Sequence, residues 1–209
     1  MVQLVMVTVA VVLVFAGTVF VLSELGRRGP IPDRLLGNTQ ARGIHQGMIL
    51  YADGNGGYYP GLDAEGQPVA LSVEERLKIL IDGKYLSPYE VISPADRRRK
   101  IWESGPFTSK HYSWAMLQVP EAGGRYQEWR ETMNNDAIVL ADRNTGTADE
   151  TRSIHSRRQW TGTVLWQDHY VRFETTHIHD TNYGGIKNVA DHIFRAEGDD
   201  DAYMIHSGN

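Results

Sequence analysis

Gln40-Ala41-Arg42-Gly43-Ile44-His45-Gln46-Gly47-Met48-Ile49-Leu50-Tyr51-Ala52, continued by Asp53-Gly54-Asn55-Gly56-Gly57-Tyr58-Tyr59-Pro60, is the stretch whose reading decides the fold. Its first half belongs to a helical pattern that runs from Leu35 to Tyr51. Leu36, Ala41, Ile44, Met48 and Tyr51 fall near one face, with Arg42 and Gln46 away from it. Gly43 and Gly47 stand about one turn apart, a spacing that permits close approach of a neighbouring backbone. The second half stops the helix, because Gly and Asn take the left-handed conformations that end helices.

Downstream, Ser72 and Glu75 form a Ser-x-x-Glu capping box, Val73, Leu77 and Leu80 make an apolar face, and Gly83 sits where a C-cap belongs, so a second short helix is predicted. Strand and turn follow. Residues 112–119, 136–141, 163–166 and 169–175 are the strand candidates, broken by Pro120, Gly123-Gly124 and the polar run 144–149. The last two should form a hairpin around Gln167-Asp168. The commonest two-residue turn needs positive φ at both central positions, and no Gly follows Asp168, so a longer loop or a bulge would relieve the turn. Gly198-Asp199-Asp200-Asp201 reads as an acidic surface loop or frayed tail.

Upstream, Gly29-Pro30-Ile31-Pro32 should break any helix that enters it. Before it, residues 2–22 carry no charge. At a rise of about 1.5 Å per residue such a run just reaches across roughly 30 Å of hydrocarbon, and it exceeds the typical apolar segment of a signal peptide, about 7–15 residues. The organisation expected is a transmembrane anchor at 1–24, a kinked connector and amphipathic helix at 25–60, and an ectodomain at 61–209. The fold class expected is α+β, with a small antiparallel sheet.

Net charge is −5 and lies outside the uncharged run, so no global basic field recruits nucleic acid or anionic lipid. The local run Arg97-Arg98-Arg99-Lys100 reads as a solvated face rather than a phosphate site. The absence of cysteine removes disulfides, thiolate nucleophiles and Cys-type zinc sites. With 21 Gly, 8 Pro and a 10% aromatic content, the chain suits a loop-rich domain of short strands better than a helical bundle.

The order of anchor, amphipathic helix, Gly-rich stop and small sheet resembles that of the type IV pilin-like, type II secretion pseudopilin-like (prepilin-type) proteins. The run 40–60 is similar to the close of the long N-terminal helix in one bacterial branch, where Tyr-Ala is followed by an Asp/Asn/Gly-rich stop, an aromatic and Pro. Ile81-Asp82-Gly83-Lys84-Tyr85-Leu86-Ser87-Pro88, Ile92-Ser93-Pro94-Ala95-Asp96, Tyr112-Ser113-Trp114-Ala115-Met116 and Leu140-Ala141-Asp142-Arg143-Asn144 resemble further blocks of that branch. Val164-Leu165-Trp166-Gln167-Asp168-His169-Tyr170-Val171 resembles its signature hairpin, Val-Leu-Phe-x-Asp-Gly-His-Val, which has a His upstream, here His155. Departures are the missing Gly after Asp168, Ser93 in place of a Cys, and Leu4-Val5-Met6 where an early acidic residue stands in the family. The resemblance implies a pilin-like fold and a structural or assembly subunit in the bacterial cytoplasmic membrane, with the domain on the exterior. It also implies lipid and other pilin-like subunits, or further copies of the chain, as partners. Arg27 and Arg28 alone would keep the domain in the cytoplasm by the positive-inside rule.

Asp53, Asn55 and Gly57 imitate the start of a calcium loop, but Ala64 occupies the twelfth position, so helix capping is the reading adopted. Asp199, Asp200 and Asp201 could bind calcium, as the resemblance to major pseudopilins implies for a loop near the C-terminus, but they read as a solvated loop. His177 and His179 alternate beside Asp180 and, with His155 or His169, could imitate a zinc site, while Ser113, His155 and Asp168 can be written as a triad without any Gly-x-Ser-x-Gly elbow. No catalytic residue, cofactor site or metal ligand is assigned, and no enzyme activity is expected. The competing classes are a lone membrane-tethered binding domain and a metal-dependent hydrolase built on His177 and His179.

Overall fold

Helix α1 (Asp33–Asp53) buries Gly37, Ala41, Ile44, His45, Gly47, Met48 and Ala52, and it ends where Gly56 and Gly57 take positive φ. These belong to a computed structural model that describes residues 33–70, 72–119, 128–197 and 201–206. The expected anchor at 1–24, the start of the connector, Pro120, Gly123-Gly124, Asp199 and Asp200 lie outside the described residues. The buried stripe sits to one side of the predicted one: Leu36 is 37% exposed and Tyr51 half-buried. Gly47 abuts the chain's own Leu86, where an added Cβ would lie 2.9 Å from Cδ2, so this glycine serves an internal contact.

Helix α2 (Val73–Asp82) carries the predicted capping box: Ser72 Oγ accepts from the Glu75 amide at 3.2 Å, and the Ser72 amide donates to Glu75 Oε2 at 3.1 Å. Gly83 is its C-cap but stays right-handed, and the left-handed residue is Lys84, φ 61°. Glycine is needed at 83 for space, since a Cβ would come within 2.6 Å of the Tyr85 ring.

The four predicted strand segments yield β1 (Trp114–Leu117), β2 (Ile138–Asp142), β3 (Gly162–Trp166) and β4 (Val171–Glu174). Three more were not predicted: β5 (Ile178–Tyr183), β6 (Ile186–His192) and β7 (Met204–Ile205). The larger sheet is antiparallel in the order β4-β3-β2-β1-β7, and β5 pairs with β6 alone. β1 and β2 are buried at every position, as their unbroken Trp-Ala-Met-Leu and Ile-Val-Leu-Ala runs require. α1 packs against β2, β3 and β4. The second sheet reaches the core through Tyr183, whose hydroxyl donates to the Ile138 carbonyl at 2.9 Å.

The expected fold class, a pilin-like α+β domain on a transmembrane helix, is therefore corrected. Among the described residues the molecule is mostly sheet, with seven strands in two antiparallel sheets and only two helices. No helix among them is long and apolar enough to cross a membrane. The extra strands escaped the sequence reading because β5 and β6 are built from His, Asp, Thr, Asn and Lys and bury little, while β7 has two residues. Their pairing is decided by partner backbone rather than by apolar alternation.

Candidate functional site

The polar side of α1 is stitched to the β3–β4 hairpin. Arg34 lies over the Phe173 ring at 5.1 Å, Thr163 Oγ1 donates to Asn38 Oδ1 at 3.1 Å, Arg42 Nε donates to the His169 carbonyl at 3.3 Å, and His45 stacks on His169 at 4.4 Å between ring centroids. Residues 34, 38, 42 and 45 recur at helical spacing and rise about 16 Å, close to the roughly 14 Å from Thr163 to Gln167 along the strand. The helix thus tracks β3 toward its turn. That turn is a three-residue loop, Gln167-Asp168-His169, closed by Trp166 N–H to Tyr170 O at 2.9 Å, with His169 at φ 64°. The residue that replaces the expected glycine takes the left-handed conformation in a bulged hairpin.

At the turn a directed chain of hydrogen bonds runs through the core. His45 Nε2–H donates to Tyr59 Oη at 3.0 Å, Tyr59 donates to Gln167 Oε1 at 3.0 Å, and Gln167 Nε2 donates to the Glu131 carbonyl at 2.6 Å. Because Tyr59 spends its proton on Gln167, His45 must carry its own on Nε2, which leaves Nδ1 buried with no partner among the described residues. Burial, and then the neighbouring His169, push His45 down to about 4. Burial pushes the Tyr59 phenol upward, so both stay neutral at ordinary pH.

Two buried carboxylates organise the other end of the large sheet. Asp96 Oδ2 accepts from Ser113 Oγ at 3.1 Å, Arg99 Nε at 3.2 Å and Arg143 Nε at 3.1 Å. Asp142, fully buried on β2, accepts from the Thr163 amide at 2.7 Å and from His155 Nε2 at 3.0 Å. Its own carbonyl takes the Trp160 indole N–H at 3.1 Å. Between these clusters opens a cleft of about 470 Å³ lined by residues 95–98, Arg143, Thr145 and residues 153–157. Beside it, burial and the nearby Arg143 and Arg99 push His206 down to about 4.

The sequence candidates are dispersed. Ser113 is bonded to Asp96, His155 to Asp142, and Asp168 to the Tyr170 amide at 2.8 Å, so the three do not form a triad. His177 Nδ1 meets Thr151 Oγ1 at 3.0 Å and its ring lies 4.3 Å from His192, whereas His179 Nε2 meets the Thr176 carbonyl at 2.9 Å and Asp180 accepts from the Ala190 amide. Asn55 caps the loop after α1, donating to the Tyr58 and Leu62 carbonyls at 3.0 and 2.9 Å. Asp201 accepts from Asn188 and the Glu197 amide. Among the described residues no group of three or more His, Asp or Glu is placed to hold a metal ion.

His45, Asp96 and Asp142 went unrecognised as structural centres because each lies inside a run read for another purpose. The available signal was polarity within a buried pattern: His45 falls between Ile44 and Met48, and Asp142 ends the apolar run of β2. Arg97 and Arg98, read as a solvated face, are exposed and line the open cleft. No family model, no curated protein and no solved structure matches this chain.

Proposed function

We propose that this chain is a structural or assembly subunit of a pilus-like or type II secretion-like system and not an enzyme. In this reading the uncharged residues 2–22 hold it to the lipid of the bacterial cytoplasmic membrane, and the described domain faces the exterior. Its partners are further copies of the chain or related subunits.

One observation carries the reading: the sequence blocks that resemble pilin-like proteins are tied to one another by buried polar bonds. Asp96 of one block holds Ser113 of the second and Arg143 of the third, and Tyr59, at the end of the helix block, holds Gln167 of the hairpin. Bonds of this kind lock distant segments in place, as a building unit requires, and they occupy the groups that a hydrolytic mechanism would need free. The alternative, a lone membrane-anchored binding domain, is favoured by the arginine-lined cleft.

Size measurement of the gently solubilised full chain, with cross-linking in membranes, tests the proposal. Ordered multimers support it, and a monomer at every concentration refutes it in favour of the lone binding domain. Protease added to spheroplasts should digest the domain, and protection until lysis would reverse the topology.

A further inference from the structure

We propose that the cleft between residues 95–98 and 153–157 binds a tetrahedral oxyanion, the phosphate group of a small molecule or of a lipid headgroup. The inference does not depend on assembly. Arg97, Arg98, Arg143 and Arg157 line the cleft against a single carboxylate, Asp96. The Oδ2 atom of that carboxylate is already shared by Arg99, Arg143 and Ser113. Arg97, Arg98 and Arg157 make no ion pair among the described residues, although the whole chain carries net charge −5 and offers many carboxylates. A guanidinium presents a planar fork of donors that matches phosphate, and several such side chains lining one cleft favour a multiply charged oxyanion.

The walls are fixed before any ligand arrives. Ser153 Oγ accepts from the amides of His155, Ser156 and Thr161, which holds the 153–157 loop in one shape, and His155 is anchored on buried Asp142. Such preorganisation lowers the ordering cost of binding. Ser156 Oγ accepts from the Arg158 amide and keeps its own proton for a further acceptor. About 470 Å³ admits a phosphorylated metabolite or headgroup, since pockets for small ligands run from about 300 to 1,000 Å³.

The test is titration calorimetry on the full chain in uncharged detergent with three probes: inorganic pyrophosphate, micelles doped with phosphatidic acid, and succinate as a carboxylate control. The double variant Arg97→Gln/Arg157→Gln should bind the phosphate probe about tenfold more weakly or worse, with an unchanged thermal midpoint. The double variant Lys110→Gln/Lys187→Gln removes equal charge from exposed positions elsewhere and should bind normally. Pyrophosphate should also raise the thermal midpoint of the unsubstituted chain, a readout that needs no variant. Arginine-dependent binding of pyrophosphate identifies a soluble phosphate, and arginine-dependent binding of the doped micelles alone identifies a headgroup; either supports the proposal. No binding of either probe up to ~10 mM, equal loss in both double variants, or succinate bound as tightly as pyrophosphate overturns it.

Discussion

His45 should make the domain lose stability in acid by an amount that can be worked from its surroundings. Its ring is buried and its proton sits on Nε2 to feed Tyr59, so protonation adds a second N–H at Nδ1, where no acceptor stands among the described residues. Burial and His169 hold the folded-state value at about 4, with Gln167 and Asp168 pulling partly the other way, against 6.5 in an unfolded chain. Between those two values the unfolded chain binds more protons than the folded one. The contribution of His45 is thus complete above about 6.5 and is lost as pH falls toward 4, a change of about 3 kcal/mol. Half-buried His177 and His206, also pushed down to about 4, add to the loss, while Asp191, pushed up mainly by burial, works against it. The assay is urea unfolding of the full chain in uncharged detergent, followed by tryptophan fluorescence at about pH 7, 5.5 and 4.5. His45→Gln should be less stable at neutral pH and should show a clearly shallower acid slope, with the remainder set by the other histidines. Parallel pH dependences for the two proteins, within about 0.5 kcal/mol, would show that His45 does not titrate in this buried network.

Asp96→Ala removes the carboxylate that neutralises Arg99 and Arg143 and accepts from Ser113, and it should cost about 3 kcal/mol, seen as a lower urea midpoint with unchanged slope. Gly47→Ala drives a methyl into Leu86 and toward the Tyr85 carbonyl at 3.2 Å, and should cost about 1–3 kcal/mol; a neutral result would mean that α1 and the 85–86 segment do not touch as described. His169→Gly relieves the positive φ at the hairpin and should gain about 1 kcal/mol less the lost stacking on His45, whose titration by NMR should move upward once the neighbouring ring is gone. Asp168→Ala removes the acceptor for the Tyr170 amide and should cost about 1 kcal/mol in the same unfolding assay.

The first helix, read as 35–51 and found at 33–53, its glycine-rich stop, the capping box at Ser72 and Glu75, and four of the five strands of the large sheet were legible in the sequence, because helical period, caps and apolar runs act over a few residues. The same local rules are silent on what the other side of α1 meets. Arg42 falls away from the apolar face and is exposed, yet its Nε reaches the His169 carbonyl, and Arg34 and Asn38 meet the hairpin beside it; whether a polar helical stripe meets only water or also a strand depends on what the chain brings alongside it. Strands β5 to β7 lie beyond local reading for the same reason. The polar network is the extreme case. Tyr59 and Gln167 are 108 residues apart and Asp96 and Arg143 are 47 apart, so no window of sequence contains both members of either pair. A histidine, an aspartate or an arginine carries the same chemistry in any context, but its desolvation and its partner set its charge state and its role. Those are properties of the packed chain alone.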